Sequence, residues 1–204
     1  MQRPPPERGW QVLVIGGASG SGKTSVSYRL ARHFGVGISE ADDIHLAVMR
    51  MTTPTEQPIL HRFRTDPEVP DWPPERIVKQ FIEVCEQLAP AYEAVVANHL
   101  ESGIPLVLEG DYLLPAFAAR SAFGGFANDG RVAGLFIHED DEEQIVLNLL
   151  AREPSAGRQE KRARVSWLHS QWLVEQADAV GGLVVPARPW ETSLERIIEA
   201  LGTA

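Results

Sequence analysis

The stretch that decides the fold is Val12-Leu13-Val14-Ile15-Gly16-Gly17-Ala18-Ser19-Gly20-Ser21-Gly22-Lys23-Thr24. From Gly17 onward it matches the pattern G-x-x-x-x-G-K-[ST] at every fixed position, between an apolar run and a stretch with apolar residues at helical spacing. Glycines allow backbone amides to surround a polyphosphate closely. A strand, this loop and a helix in succession therefore predict a nucleoside triphosphate site.

The same loop predicts individual contacts with the nucleotide. Lys23 is expected to reach the β- and γ-phosphates and to act in catalysis, and the Thr24 hydroxyl is expected to bind Mg²⁺ at the positive end of a helix. The predicted cofactors are therefore ATP and Mg²⁺. The residues expected to contact ATP in this loop are Gly17, Ala18, Ser19, Gly20, Ser21, Gly22, Lys23, Thr24 and Ser25.

Length and charge restrict the class of protein. The chain has 204 residues, enough for one domain with inserted segments. Its formal net charge of −9 argues against nucleic acid or an anionic membrane as a partner, because both require a basic surface. Cys85 lies in an apolar periodic stretch and is expected to be buried and unreactive. We expect a cytoplasmic monomer or homodimer that acts on a small molecule.

Short apolar runs alternate with helical patterns and predict an α/β fold. Strands alternating with helices favour a parallel sheet covered on both faces. One helical pattern begins at residue 44, and another crosses Pro90, which predicts a kink or two abutting helices there. Residues 52–75 contain six prolines and predict an irregular lobe. The five strands are expected at residues 11–15, 36–39, 105–109, 131–138 and 182–186.

Carboxylates follow two of the predicted strands. In an open parallel sheet, ligands bind beyond the carboxyl ends of the strands, which here carry Asp42-Asp43, Glu109-Gly110-Asp111 and the turn after Val185. Glu109 is expected to orient Mg²⁺, or alternatively to cap the next turn. One of Asp42 and Asp43 is expected to accept the proton of an attacking hydroxyl, while Asp43 also suits an N-cap at residue 43. Asp42 is therefore favoured for catalysis, with Thr24, Asp42 and Glu109 as the metal set.

A basic segment after the fourth strand predicts a lid. Arginines that reach phosphate only on closure would stabilise transition-state charge and exclude water. Arg152 and Arg158 are the favoured catalytic pair, with Arg152 also expected to contact ATP. A solvated basic helix face is the alternative. The cations of this segment are Arg152, Arg158, Lys161, Arg162 and Arg164.

A second basic group flanks the proline-rich lobe and suggests an anionic second substrate. Solvated surface arginines would explain the same pattern equally well. If the group binds substrate, it does so together with the strand-end residues Asp42, Glu109 and Gly110. Its members are His45, Arg50, His61, Arg62 and Arg64.

The order of these features resembles the small P-loop kinases of the nucleoside-monophosphate-kinase-like group. The segments IGGASGSGKTSVSYRLARHFGV and LVLEGDYLLP are similar to 2-phosphoglycerate kinase and its relatives, although Asp111-Tyr112 departs from the pair more usual there. The resemblance implies a P-loop NTPase fold with sheet order 2-3-1-4-5 in a single domain, residues 1–204. It further implies an acceptor-binding insertion at about 44–100 and a lid at about 152–164, with Asp42 facing the acceptor hydroxyl.

The favoured function is transfer of the ATP γ-phosphoryl group to a hydroxyl of a small anionic metabolite. A nucleoside, a sugar acid or an antibiotic remains an alternative acceptor. An ATPase or an ATP-sensing protein without acceptor would retain the same loop and Glu109. A GTPase switch is disfavoured, because the chain lacks N-K-x-D and its D-x-x-G at residues 178–181 does not follow the third strand.

Overall fold

A computed structural model describes residues 7–202 and has alternating strands and helices. The strands are β1 (Val12–Gly17), β2 (Gly37–Glu40), β3 (Leu106–Glu109), β4 (Ala122–Phe123), β5 (Phe126–Ala127), β6 (Val132–His138) and β7 (Leu183–Pro186). The α-helices are α1 (Lys23–Phe34), α2 (Ala41–Met51), α3 (Pro58–Thr65), α4 (Pro74–Ser102), α5 (Pro115–Ala118), α6 (Glu142–Arg152), α7 (Glu160–Val180) and α8 (Ser193–Gly202). Short 3-10 helices occupy Val69–Asp71, Pro154–Ala156 and Trp190–Thr192.

The central sheet is parallel and has the order β2-β3-β1-β6-β7. Counted along the sheet strands alone, this is the expected order 2-3-1-4-5. The short antiparallel hairpin β4-β5 was not predicted, and it shifts the numbers of the last two sheet strands. The predicted α/β fold class is confirmed.

Helices cover both faces of the sheet because β1 is apolar on both sides. Val12 and Val14 pack into one core with residues of α4 and α7, while Leu13 and Ile15 pack into a second core with α1 and α8. Each fully buried aliphatic side chain contributes about 1.5–3 kcal/mol to folding. These two cores hold the carboxyl end of β1, and with it the glycine-rich loop, in a fixed position.

Helix α2 begins at Ala41, earlier than the predicted residue 44. The chain passes directly from β2 into the helix, and Ala41 is fully buried against the sheet. Asp42 and Asp43 therefore lie in the first helical turn, and Glu40 occupies the N-cap position without a side-chain cap bond. The alternative that Asp43 is the N-cap is wrong.

Helix α4 runs for 29 residues without interruption at Pro90, so the two abutting helices do not occur. Its buried face includes Val84, Leu88, Tyr92 and Val96, whereas Pro90 is exposed. The hydrogen bond that proline cannot donate is therefore lost on the solvent side, where water can satisfy the free carbonyl.

The proline-rich region is more ordered than its composition predicted. It contains helix α3 and the 3-10 helix Val69–Asp71 before α4 begins at Pro74. Both α3 and α4 place a proline in the first turn, where a missing amide costs nothing. Within residues 7–202, no helix combines the length and the hydropathy that crossing a lipid bilayer requires.

Candidate active site

The glycine-rich loop joins β1 to α1 and has the backbone that its glycines allow. Gly20 and Gly22 both have φ of 82°, in the left-handed region that favours glycine. A side chain at Gly22 would meet the Trp190 ring, which lies 2.5 Å from the position of a Cβ. Among the described residues, no side chain caps the start of α1, so its first amides face the cavity.

A cavity of about 850 Å³ opens over this loop. It lies at the carboxyl ends of the sheet strands, where the sequence predicted that polar residues would converge. Its wall combines P-loop residues with side chains that come from β2, α2, α6 and α7 and from the segments that follow β3, β6 and β7. Beyond Ser19–Ser25 it is lined by Glu40, Asp42, Asp111, Glu139, Asn148, Ala151, Arg152, Arg162, Ala187, Arg188 and Trp190.

Lys23 is 8 % exposed and forms an ion pair with Asp111. Burial alone would lower its pKa, but the carboxylates of Asp111 and Glu109 outweigh burial and raise it. The ammonium therefore stays charged at neutral pH. The sequence analysis placed Asp111 at this edge of the sheet but gave it no role, although its position two residues after Glu109 would have justified one.

Glu109 is buried at 1 % exposure and accepts a hydrogen bond of 3.3 Å from the Thr24 hydroxyl. Burial raises the pKa of Glu109 to about 7, and the nearby Lys23 charge opposes that rise. A hydroxyl and a carboxylate are hard oxygen ligands, so the pair fits Mg²⁺, which proteins hold with few side chains plus substrate phosphates. Accordingly, within residues 7–202 no cluster of three or more carboxylate, histidine or cysteine side chains forms a metal cage.

Of the two adjacent aspartates of α2, Asp42 lines the cavity, while Asp43 lies outside its lining. Enclosure by the surrounding protein raises the pKa of Asp42, and the charge of Asp111 adds to the rise. A carboxylate with a raised pKa is a better proton acceptor. The geometry is consistent with the preference for Asp42, whose role remains a prediction.

The arginines of the basic segment, which the sequence predicted to form a lid, divide into two sets. Arg152 lines the cavity and donates to the Ser19 hydroxyl at 3.3 Å, and Arg162 also lines it. Both arginines are bound by Glu153, which Arg152 contacts at 3.1 Å and Arg162 at 3.0 Å. Among the cations of this segment, Arg152 and Arg162 therefore line the cavity.

Arg158, which the sequence favoured, lies outside the cavity lining. Its guanidinium makes two hydrogen bonds of 2.8 and 3.0 Å to Glu143 in the first turn of α6. In the structure described, Arg158 is thus paired away from the cavity, and its catalytic role remains a prediction. Sequence spacing cannot separate Arg158 from Arg162, because the direction of each side chain depends on where α7 begins.

The sequence also missed the individual side chains of the segment after β7. Arg188 donates to the buried Glu139 at 3.1 Å and to Asn148 at 3.4 Å, and Asn148 in turn donates to the Gly20 carbonyl at 2.7 Å. Together with Trp190, this network forms part of the cavity wall. The sequence analysis placed the turn after β7 at the ligand-binding edge of the sheet. Since no motif covers this turn, its individual side chains could not be identified.

The predicted acceptor residues His45, Arg50, Arg62 and Arg64 do not belong to the lining of this cavity within the described chain. The His45 ring packs 4.5 Å from that of Tyr112, and burial followed by the charge of Arg64 lowers its pKa. Arg62 donates to Gln80 at 3.2 Å. The basic group therefore lies beside the site, and its role in acceptor binding remains a prediction.

Gly110 has a packing role that the sequence did not reveal. A Cβ at this position would lie 2.5 Å from the Cβ of Ala41, at the start of α2. Its amide donates to the Ile15 carbonyl at 3.0 Å, inside the sheet. The expected substrate contact of Gly110 has no support from the cavity lining.

Comparison with known proteins identifies similar kinases. No protein-family model matches the chain. A 2-phosphoglycerate kinase from Methanothermobacter thermautotrophicus is 25% identical over 167 residues, which are 76% of this chain and 48% of that protein. The chain thus spans about half the length of this curated relative. The resemblance to 2-phosphoglycerate kinase is confirmed as a distant sequence similarity.

Two solved structures share the fold. A gluconokinase from Sinorhizobium meliloti superposes with a TM-score of 0.53 and 18% identity, covering 97% of this chain and 94% of that chain. The protein TT1252 from Thermus thermophilus gives a TM-score of 0.57 and 18% identity, covering 95% of this chain and 97% of that chain. Identities this low establish the common architecture alone.

Proposed function

We propose that this protein is an ATP-dependent kinase that transfers the γ-phosphoryl group to a hydroxyl of a small, anionic metabolite. The observation that carries the proposal is one cavity that brings together Lys23, Asp42 and the lid arginine Arg152 above a glycine-rich loop. The distant similarity to a 2-phosphoglycerate kinase supports this reading. Residues 44–100 would then form the acceptor side of a single domain, and residues 152–164 its lid.

In this mechanism the loop amides and Lys23 hold the phosphates, while Arg152 and Arg162 offset charge on the transferred group. Asp42 orients the acceptor hydroxyl and accepts its proton as the hydroxyl oxygen forms a bond to the γ-phosphorus. The bond between that phosphorus and the β–γ bridging oxygen breaks, and ADP leaves with the electron pair. Mg²⁺, when bound at Thr24 and Glu109, would neutralise phosphate charge.

The anionic character of the acceptor is supported by the cations beside the site. Arg50, Arg62 and Arg64 are exposed, and the Arg64 charge acts on both His45 and Tyr112. Since the cavity itself holds several carboxylates, an acidic acceptor would place its hydroxyl toward Asp42 and its anionic group toward these arginines.

The direct test is ADP release with a panel of hydroxylated compounds: 2-phosphoglycerate, glycerate, gluconate, adenosine and an aminoglycoside antibiotic. Release that rises with one compound supports a kinase, and its identity selects among the acceptor classes. Acceptor-independent release would instead indicate an ATPase. Binding of ATP without any release would indicate an ATP-sensing protein.

Two variants test the assigned residues. Lys23→Ala should abolish transfer while the fold is retained, since it removes the phosphate contact. Asp42→Asn should keep ATP affinity but lose about 10²-fold or more of the turnover, because general-base catalysis contributes about 10²–10⁴-fold. Turnover near wild type in both variants would contradict the proposed chemistry.

A further inference from the structure

The Asp111 carboxylate is paired with the ammonium group of Lys23, the P-loop lysine. Its side chain is 21 % exposed, and its Oδ1 atom is buried in contact with the Lys23 ammonium. Among residues 7–202, no other group donates to the Asp111 carboxylate. By contrast, the neighbouring Glu109 also accepts from the Thr24 hydroxyl. Any movement of Lys23 away from Asp111 therefore leaves this carboxylate without a partner.

The proposed function requires such a movement. A lysine that binds the β- and γ-phosphates shares its three N–H donors with new acceptors and weakens its contact with Asp111. A partly buried carboxylate that loses its cation is destabilised unless another donor replaces it. Since the carboxylate faces the cavity, that donor comes from water or from a bound ligand.

Asp111 lies next to the proposed base by the geometry of the sheet. Strands β2 and β3 are parallel neighbours in which Glu40 pairs with Glu109. Asp42 lies two residues after Glu40, and Asp111 lies two residues after Glu109. The two aspartates are therefore on adjacent segments of the chain that leave the same edge of the sheet. Both side chains line the cavity. An acceptor whose hydroxyl reaches Asp42 thus presents its neighbouring atoms to Asp111.

We propose that Asp111 is an exchange partner for Lys23 and an acceptor-positioning residue. It holds the lysine before nucleotide binds, releases it to the phosphates, and then accepts a hydrogen bond from a second hydroxyl of the acceptor. The substrate class is therefore a compound with two neighbouring hydroxyl groups, one for Asp42 and one for Asp111. This inference rests on the proposed kinase function and specifies its acceptor.

The exchange predicts that a substitution at Asp111 has opposite effects on the affinity for ATP and on use of the acceptor. Asp111→Asn removes the negative charge that competes with phosphate for Lys23, so ATP should bind about two- to fivefold more tightly, as expected for a partly exposed ion pair. The neutral amide oxygen also accepts a weaker hydrogen bond from the second hydroxyl than the carboxylate does. A purely structural role would not strengthen binding of one ligand while weakening use of the other.

Calorimetric titration with ATP and Mg²⁺ tests the exchange without any acceptor. Asp178→Asn is the matched control, because it removes the same charge at an exposed position of α7 outside the cavity lining. Tighter binding in Asp111→Asn with an unchanged control supports the exchange. Unchanged or weaker binding overturns it. Asp111→Ser, checked by circular dichroism and thermal unfolding, replaces the asparagine variant if that variant does not fold.

Initial rates test the acceptor half of the proposal, in which Asp111 accepts a hydrogen bond from a second hydroxyl of the acceptor. The best compound of the panel above is compared with the analogue that lacks its second hydroxyl. The wild type should prefer the full compound by about 10- to 100-fold in kcat/KM, and Asp111→Asn should lose most of that preference. Equal use of both compounds by the wild type overturns this half, and so does a best compound with a single hydroxyl, such as 2-phosphoglycerate. If no panel compound is phosphorylated, the proposed function and this half fail together, while calorimetry still decides the exchange.

Discussion

The buried carboxylate of Glu109 should make the free protein less stable as the pH rises. Its pKa is raised from 4.5 to about 7 because burial penalises the charged form. The folded protein therefore holds this proton more tightly than the unfolded chain does. The stabilisation is present below about pH 4.5 and is lost as the pH rises toward 7.

The size of the effect follows from the two pKa values. Between pH 5 and pH 8, this single group should lower the free energy of unfolding by about 2.5 kcal/mol. For a domain of this length, that corresponds to about 5–10 °C in melting temperature. Glu109→Gln removes the titration, so the variant should lack this part of the pH dependence.

The assay is chemical unfolding at pH 5 and pH 8, without nucleotide and with a chelator to remove divalent cations. Glu86→Gln, an exposed position on α4, serves as the control and should follow the wild type. The reasoning is refuted if wild type and Glu109→Gln lose the same free energy of unfolding between the two pH values. That outcome would mean that Lys23 keeps Glu109 ionised throughout.

Four further variants test the proposed lid and the sheet edge. Arg162→Ala should weaken ATP use about tenfold in kcat/KM, because a charged hydrogen bond to phosphate is lost, whereas Arg158→Ala should stay within about twofold in the same assay. Glu153→Gln should free both cavity arginines of the lid and tighten ATP binding about two- to fivefold in calorimetry, and weaker binding would show that Glu153 instead holds them in place. Gly110→Ala should lower the free energy of unfolding by about 1–3 kcal/mol, measured in denaturant, because its new Cβ meets Ala41, and a loss below 0.5 kcal/mol would contradict that packing.

Local sequence patterns were sufficient for the P-loop unit and the five strands of the central sheet, although not for the β4-β5 hairpin or helix α3. The P-loop motif and the apolar runs predicted β1, the loop and α1, and the five sheet strands lie within two residues of their expected positions at each end. These patterns succeed because hydrophobic periodicity and glycine conformation act over a few neighbouring residues. Helix boundaries were less predictable. α2 starts three residues early because burial of Ala41 against the sheet, rather than a capping side chain, determines where it begins.

The membership of the site depended on tertiary structure. Sequence alone determined that a triphosphate-type loop is present and that carboxylates follow β2 and β3. Only the folded chain decided that Asp111 pairs with Lys23, that Arg162 rather than Arg158 lines the cavity, and that Arg188 reaches the loop network. A motif records residues that are neighbours along the chain. Contacts between side chains from distant segments arise only when packing of the two cores brings the strand ends together.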